Sequence, residues 1–238
     1  MYFCIFLRYI LVFFPVTHFI KNMSARGESA FFKYYTSQKV ISEDELEIWM
    51  KTLKTPLPIT FRLSPLSKRL QREMNSIPVD ALPFLPNMYQ LPVRCDRKML
   101  RYAKADSEIG CIRRFTRRES GRSITWQEAV SLIPAALLAP QKHHVVLDMC
   151  AAPGSKTTAL MEYASESSDE NGILIANDLD GKRIQTLVHN LQRVGKNENL
   201  IVTNLSADAF PMPRKAFDRI MCDVPCSGDG TLRKEPSI

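Results

Sequence analysis

The sequence predicts an α/β chain in which a smaller basic α+β region precedes an incomplete parallel sheet of about four strands. Three observations predict it. From His143 onward, apolar runs (HHVVLDMC, GILIANDLD, NLIVTNLSAD, FDRIMCDVPC) alternate with amphipathic stretches of helical period, the rhythm of βαβ units. Upstream, prolines at 78, 83, 86 and 92 punctuate a stretch of loops and short extended pieces. Charge divides the same way. Residues 1–140 hold 21 Lys/Arg against 12 Asp/Glu, net +9, while residues 141–238 hold 11 against 13, net −2. A basic front suggests a polyanion partner, although a solvated Lys/Arg surface explains the charge equally well.

The chain has 238 residues of ordinary apolar and charged content, which excludes wholesale disorder. Its six cysteines (4, 95, 111, 150, 222 and 226) form no CxxC pair, arguing against a zinc ribbon and a disulfide scaffold. No metal site is expected, and a reducing, intracellular setting in nucleus or cytoplasm fits. The first twenty residues are apolar but contain Arg8, Pro15 and His18. Their longest apolar run, Tyr9 to Val16, is too short to span a bilayer. We read residues 1–23 as an extension outside the fold, with Met23 as an alternative start and no membrane role. Residues 24–120 are then a basic RNA-binding region, and residues 121–238 a partial Rossmann-like domain. A monomer is expected.

FFKYYTSQKV and SEDELEIWMKTLKTPLP read as two short helices, the second with Ser42 and Glu45 in capping-box spacing. ITFRLS alternates as a strand, and PLSKRLQREMNSI follows as a basic amphipathic helix. In CIRRFTRRES, Arg113, Arg114, Arg117 and Arg118 flank Phe115. Arginine forks bind phosphates and an aromatic ring stacks on a base, so these are candidate RNA contacts. A solvated face with Phe115 turned to the core is the equal alternative. SITWQEAVSLIPAALLAP reads as a capped helix broken at Pro134 and ended near Pro140. GKRIQTLVHNLQRVG reads as an amphipathic helix with Gly195 as its C-cap.

The turn DMCAAPGSKT closes the first parallel strand, where a nucleotide-like ligand sits in such sheets. Gly154 admits close backbone approach, and the free N–H groups of Ser155 and Lys156 favour a carboxylate. The order Gly-Ser-Lys-Thr is not a Walker loop, and G-x-G-x-x-G is absent, which disfavours a nicotinamide cofactor. Asp178 ends the second strand, positioned for ribose hydroxyls, and Asp208 ends the third, on the adenine side. Each aspartate alone also reads as a cap or turn residue. Together the three strand ends describe S-adenosylmethionine better than a dinucleotide.

DMCAAPGSKTTALME, ANDLDGKR and DRIMCDVPCSGDGTLRK closely resemble the Sun-family RNA (cytosine-5) methyltransferases, in particular the tRNA-methylating branch. PLPITFRL and ITWQEAVSLIP match that branch too, so the resemblance runs from about residue 28 to the last residues. It implies a Rossmann-like S-adenosylmethionine-dependent methyltransferase sheet with strand order 3-2-1-4. It further implies that Cys150, Ala151, Ala152, Pro153, Gly154, Ser155 and Lys156 form the cofactor loop. Asp178 would hold the ribose, Asp208 lie near adenine, and Asp223 close the pocket beside the target base, with Lys156 near the cytosine. Cys226 corresponds to the cysteine of the family's Pro-Cys motif.

Cytosine C5 is a poor nucleophile until a thiolate adds to C6, after which C5 takes the methyl group and loss of its proton expels the thiol. The base must be unstacked, which suits looped RNA, above all tRNA. An acid such as Asp223 on the N3/N4 edge would stabilise the adduct. In this family the nucleophile is a second cysteine, in a Thr-Cys-Ser segment, and the Pro-Cys thiol assists product release. These 238 residues contain no Thr-Cys-Ser. The expectation is a truncated chain that binds S-adenosylmethionine weakly, if at all, and does not turn over. Under the scheme of the related DNA enzymes, Cys226 would instead be the nucleophile. The alternatives are a non-catalytic RNA-binding remnant and a ribosomal-RNA enzyme of the same family.

Overall fold

The computed structural model describes residues 25–64, 68–119, 123–164, 172–194, 198–213, 216–226, 229–231 and 233. The N-terminal extension and the expected cap at Gly195 lie outside them. The chain divides into two compact units, residues 1–57 with 225–238, and residues 58–224.

In the first unit, α1 (Ala25–Ser37) and α2 (Leu46–Leu53) are the two expected helices. Phe31, Phe32 and Tyr35, spaced for one helix face, gather around Trp49, with the Phe31 ring stacked at 5.7 Å. Ser42 is not the cap of regular helix, which begins only at Leu46. Its hydroxyl donates to Glu45 Oε2 at 2.6 Å, and its N–H points to the same oxygen at 3.5 Å. Half of the capping box thus forms one turn early.

The second unit holds two four-stranded sheets. The first is antiparallel, order β2-β3-β1-β4, from β1 (Thr60–Leu63), β2 (Asp80–Ala81), β3 (Met88–Gln90) and β4 (Ile124–Trp126). Around it lie α3 (Lys68–Met74), α4 (Arg97–Tyr102) and α5 (Glu108–Glu119). Alternation sends Phe61 and Leu63 into a core with Leu70, Met74, Ile112 and Phe115. The polar set of β1 is buried as well. Arg62, 1 % exposed, donates from Nε to Glu162 Oε2 at 2.8 Å and from Nη2 to Thr158 Oγ1 at 3.1 Å, and it also donates to Gln127 Oε1. This strand therefore has protein on both faces.

Two expectations need correction here. Ser123–Trp126 does not start the following helix. Ile124, Thr125 and Trp126 are β-branched or aromatic and pair with β1 in antiparallel register. The helix, α6 (Ala129–Leu138), then runs through Pro134 unbroken. Proline in its second turn removes one backbone donor, while Leu132 and Ala135, both fully buried, hold the helix in place.

The second sheet is parallel, order β7-β6-β5-β8, from β5 (Val145–Asp148), β6 (Ile173–Asn177), β7 (Leu200–Thr203) and β8 (Arg219–Met221). In order of occurrence this is 3-2-1-4, as the sequence predicts. The crossovers carry α7 (Ser155–Ala164) and α8 (Gly181–Val194). Leu132, Val146, Leu160, Leu174 and Met221 form one apolar cluster along it, and Ala152, Ala176, Leu187 and Leu191 another. Among the described residues no helix is long and apolar enough to cross a membrane, and no group of three or more His, Cys, Asp or Glu is placed to hold a metal ion.

Candidate active site

The carboxyl ends of β5, β6 and β8 meet at the Cys150–Lys156 loop. Each turn of this loop is fixed by a named bond. Ala151 N–H donates to Asn177 O at 2.7 Å, Ala152 N–H to Asp178 Oδ2 at 3.0 Å, and Gly154 N–H to Ala151 O at 2.7 Å. From α8, Asn190 Nδ2 donates to Pro153 O at 2.8 Å, and Arg183 donates to Ala152 O. Gly154 sits at φ +102°, and a Cβ there would stand 2.9 Å from Leu187 Cδ1. Only glycine takes that backbone angle without strain and lets the loop press on α8.

Asp178 is buried at the end of β6. Its Oδ1 accepts the Asp180 N–H at 3.0 Å, and Arg183 Nη1 lies 3.5 Å from Oδ2. Asp180 in turn caps α8, its Oδ1 accepting the Lys182 N–H at 2.8 Å. Lys156, in the first turn of α7, places Nζ 2.6 Å from Asp223 Oδ2, just past β8. The two residues expected beside the target base are thus an ion pair. Asp208 is exposed on the 3₁₀ turn Ala207–Ala209, and its hydrogen bond is local: the Ser206 hydroxyl donates to it and holds its carboxyl below the usual range. Cys226 is exposed, three residues beyond Asp223 in sequence and in the other compact unit.

Burial pushes the half-buried Cys150 thiol up to about 11, assisted by Cys222, Asp148, Asp178 and Asp223. A thiol raised this far stays protonated at neutral pH, which makes Cys150 a poor nucleophile.

Sequence reasoning missed Asp148, which ends β5. It is 1 % exposed; Thr157 Oγ1 donates to its Oδ2 at 2.7 Å, while Oδ1 is buried without a hydrogen-bond partner among the described residues. Burial pushes its carboxyl up to about 7, against the Thr157 hydroxyl and Lys156. A charged residue closing the run VVLD was the available signal. Asn177 was missed too. Fully buried, its amide donates to Met149 O at 3.1 Å and Leu205 O at 2.9 Å, tying three strand ends together.

The four candidate RNA arginines lie on α5. Arg114 and Arg117 are exposed, Arg113 donates to Arg101 O at 2.9 Å, and Arg118 pairs with Glu73 and Glu119. Phe115 is 5 % exposed in the front core, so it is not available to stack on a base.

Residues 135–238 match the family model for 16S rRNA methyltransferase RsmB/F. The multisite-specific tRNA:(cytosine-C(5))-methyltransferase of Saccharomyces cerevisiae is 38 % identical over 235 residues, covering 87 % of this chain and 34 % of that protein. Over most of its length the chain is similar to RNA cytosine-5 methyltransferases. The tRNA (cytosine(34)-C(5))-methyltransferase of Drosophila melanogaster is 34 % identical, over 90 % of this chain and 33 % of its own length. A human 28S rRNA (cytosine(4447)-C(5))-methyltransferase is 39 % identical over 47 % of this chain and 13 % of its own length. The chain therefore spans about a third of the tRNA-modifying relatives it matches. Among solved structures, PH0851 shares the fold at a TM-score of 0.65 and 22 % identity, over 92 % of this chain and 47 % of that one. NSun6 from Pyrococcus horikoshii, solved with SFG, shares it at 0.59 and 18 %, over 82 % and 70 %.

Proposed function

We propose that this chain serves the methylation of cytosine C5 in RNA, with S-adenosylmethionine as cofactor and tRNA as substrate. One observation carries the reading: at the carboxyl edge of a parallel sheet, Asp178 binds the Cys150–Lys156 loop through the Ala152 N–H, Asp223 pairs with Lys156, and Asp148 binds Thr157 just after it. The donor set fits S-adenosylmethionine. Asp148 Oδ1, buried and unpartnered among the described residues, suits a cationic donor such as an ammonium group. The first-turn N–H groups of α7, at Ser155 and Lys156, suit a carboxylate. Asp178 supplies acceptors for ribose hydroxyls, and Asp208, exposed on the turn after β7, is assigned to the adenine. SFG, present in the solved NSun6 structure, is an analogue of this cofactor. Bound S-adenosylmethionine would supply an electrophilic methyl group.

The chain's own residues handle the base. Asp223, with Lys156 Nζ 2.6 Å from its Oδ2, accepts from the N4 edge of cytosine and stabilises positive character there. Cys226, the Pro-Cys cysteine, is assigned to product release after methylation; its thiol is exposed. The substrate assignment to tRNA rests on coverage: tRNA-modifying relatives match 86–90 % of the chain, and rRNA-modifying ones 45–47 %.

The test is retention and transfer with methyl-labelled S-adenosylmethionine and a tRNA transcript. The folded chain is expected to retain both ligands and Asp178→Ala to lose only the cofactor. No label is expected to pass to C5, since the 238 residues hold no Thr-Cys-Ser. A folded chain retaining neither ligand overturns the reading. Label in tRNA that Cys226→Ala abolishes would make Cys226 the nucleophile.

A further inference from the structure

Residues 94–118 contain nine Lys/Arg and three Asp/Glu, and the structure sorts them by occupation. Arg94 is paired with Glu108, Arg118 with Glu73 and Glu119, and Asp96 is spent capping α4, its Oδ1 accepting Met99 N–H at 2.6 Å. The exposed cations Arg97, Lys98, Arg101, Lys104, Arg114 and Arg117 have no carboxylate partner among the described residues. Among them stands one aromatic ring: Tyr102, the last residue of α4, is 70 % exposed.

The two helices are locked together. Arg113 Nη1 donates to Arg101 O at 2.9 Å, and Gly110 of α5 lies so close to the turn after α4 that a Cβ there would be 1.9 Å from Lys104 O. Tyr102 is thus an exposed ring on a fixed base, flanked by free cations. An acidic protein would be satisfied by the charges alone. A solvent-facing ring set among phosphate-binding groups fits a ligand that carries both phosphates and flat unpaired bases.

We propose that α4 and α5 form a platform for single-stranded RNA, on which Tyr102 stacks an unpaired base while the surrounding Arg and Lys side chains hold the flanking phosphates. The proposal rests on the RNA reading above and assigns the stacking role to Tyr102, which the buried Phe115 leaves open.

The experiment measures binding of the chain to a fluorescent unstructured oligoribonucleotide and to a tRNA transcript across a salt series. Tyr102→Ala is expected to weaken binding of the oligoribonucleotide roughly tenfold, and Tyr102→Phe to restore it to within about twofold. Lys98→Gln with Arg101→Gln is expected to lower the log–log salt slope by about 1.4, two phosphates' worth for a single strand. Unchanged RNA affinity in both Tyr102→Ala and the double variant overturns the platform and leaves the RNA reading standing. A folded parent chain that binds neither RNA overturns the RNA reading itself. Polyglutamate competing as well as RNA, with no effect of Tyr102→Ala, assigns the surface to an acidic protein and overturns the proposal.

Discussion

At the loop after β5, carboxylates are buried and bound: Asp178 by two backbone N–H groups and Arg183, Asp148 by the Thr157 hydroxyl. On α4 and α5, cations stand in solvent, several of them without a carboxylate among the described residues. The contrast separates two ways of using charge. Buried groups define geometry to within tenths of an ångström and are costly to disturb, whereas exposed ones set attraction to a polyanion and are cheap to disturb. Substitutions in the two regions should therefore differ in kind as well as in size.

The largest effect is expected where a buried charge loses its partner. Arg62→Met takes the guanidinium away from the buried Glu162 carboxylate, and should cost about 3–5 kcal/mol in urea unfolding. Adding Glu162→Leu should recover most of that loss. A double variant no better than the single would show that the ion pair is not what joins β1 to α7.

Asp148 comes next, through pH. Its carboxyl, raised from 3.8 to about 7, holds a proton in the native state that the unfolded chain releases. Its contribution is full below about pH 4, declines as pH rises and is lost above about pH 7. Asp148→Asn removes this slope, so the stability gap between variant and parent should widen by roughly 2–3 kcal/mol from pH 5 to pH 8. A gap that stays constant would place the titration elsewhere. Gly154→Ala should cost about 2 kcal/mol, from the φ of +102° and the contact with Leu187. At the small end, Arg118→Ala should leave the unfolding midpoint unchanged despite its two carboxylate partners, because the guanidinium is exposed. A clear fall in that midpoint would erase the contrast drawn between the regions.

What was legible in the sequence follows the same division. Interior parallel strands must be apolar along their length, so VVLD and ILIAN are visible as runs, the edge strand LIVT is apolar as well, and the loop between the first strand and its helix is fixed by their order. The loop's partners were partly hidden. Asn177 and Asp148 matter through burial, which a polar letter at a strand end does not reveal. Arg62 and Glu162 meet across a hundred residues, beyond any local pattern. β4 was absorbed into the following helix because three residues give too short a period to separate, and α4 was lost in a proline-rich stretch. On α5 the charge pattern was plain, but whether Phe115 or Tyr102 faced solvent depended on packing that only the fold supplies.

The most direct test of the central claim is calorimetric titration of the folded chain with S-adenosylmethionine, beside Gly154→Ala under the same conditions. The account predicts a saturable single-site isotherm for the parent, weak in absolute terms, and its loss in a Gly154→Ala variant that remains folded by circular dichroism. A parent without measurable binding, or a folded variant that binds equally well, would contradict it.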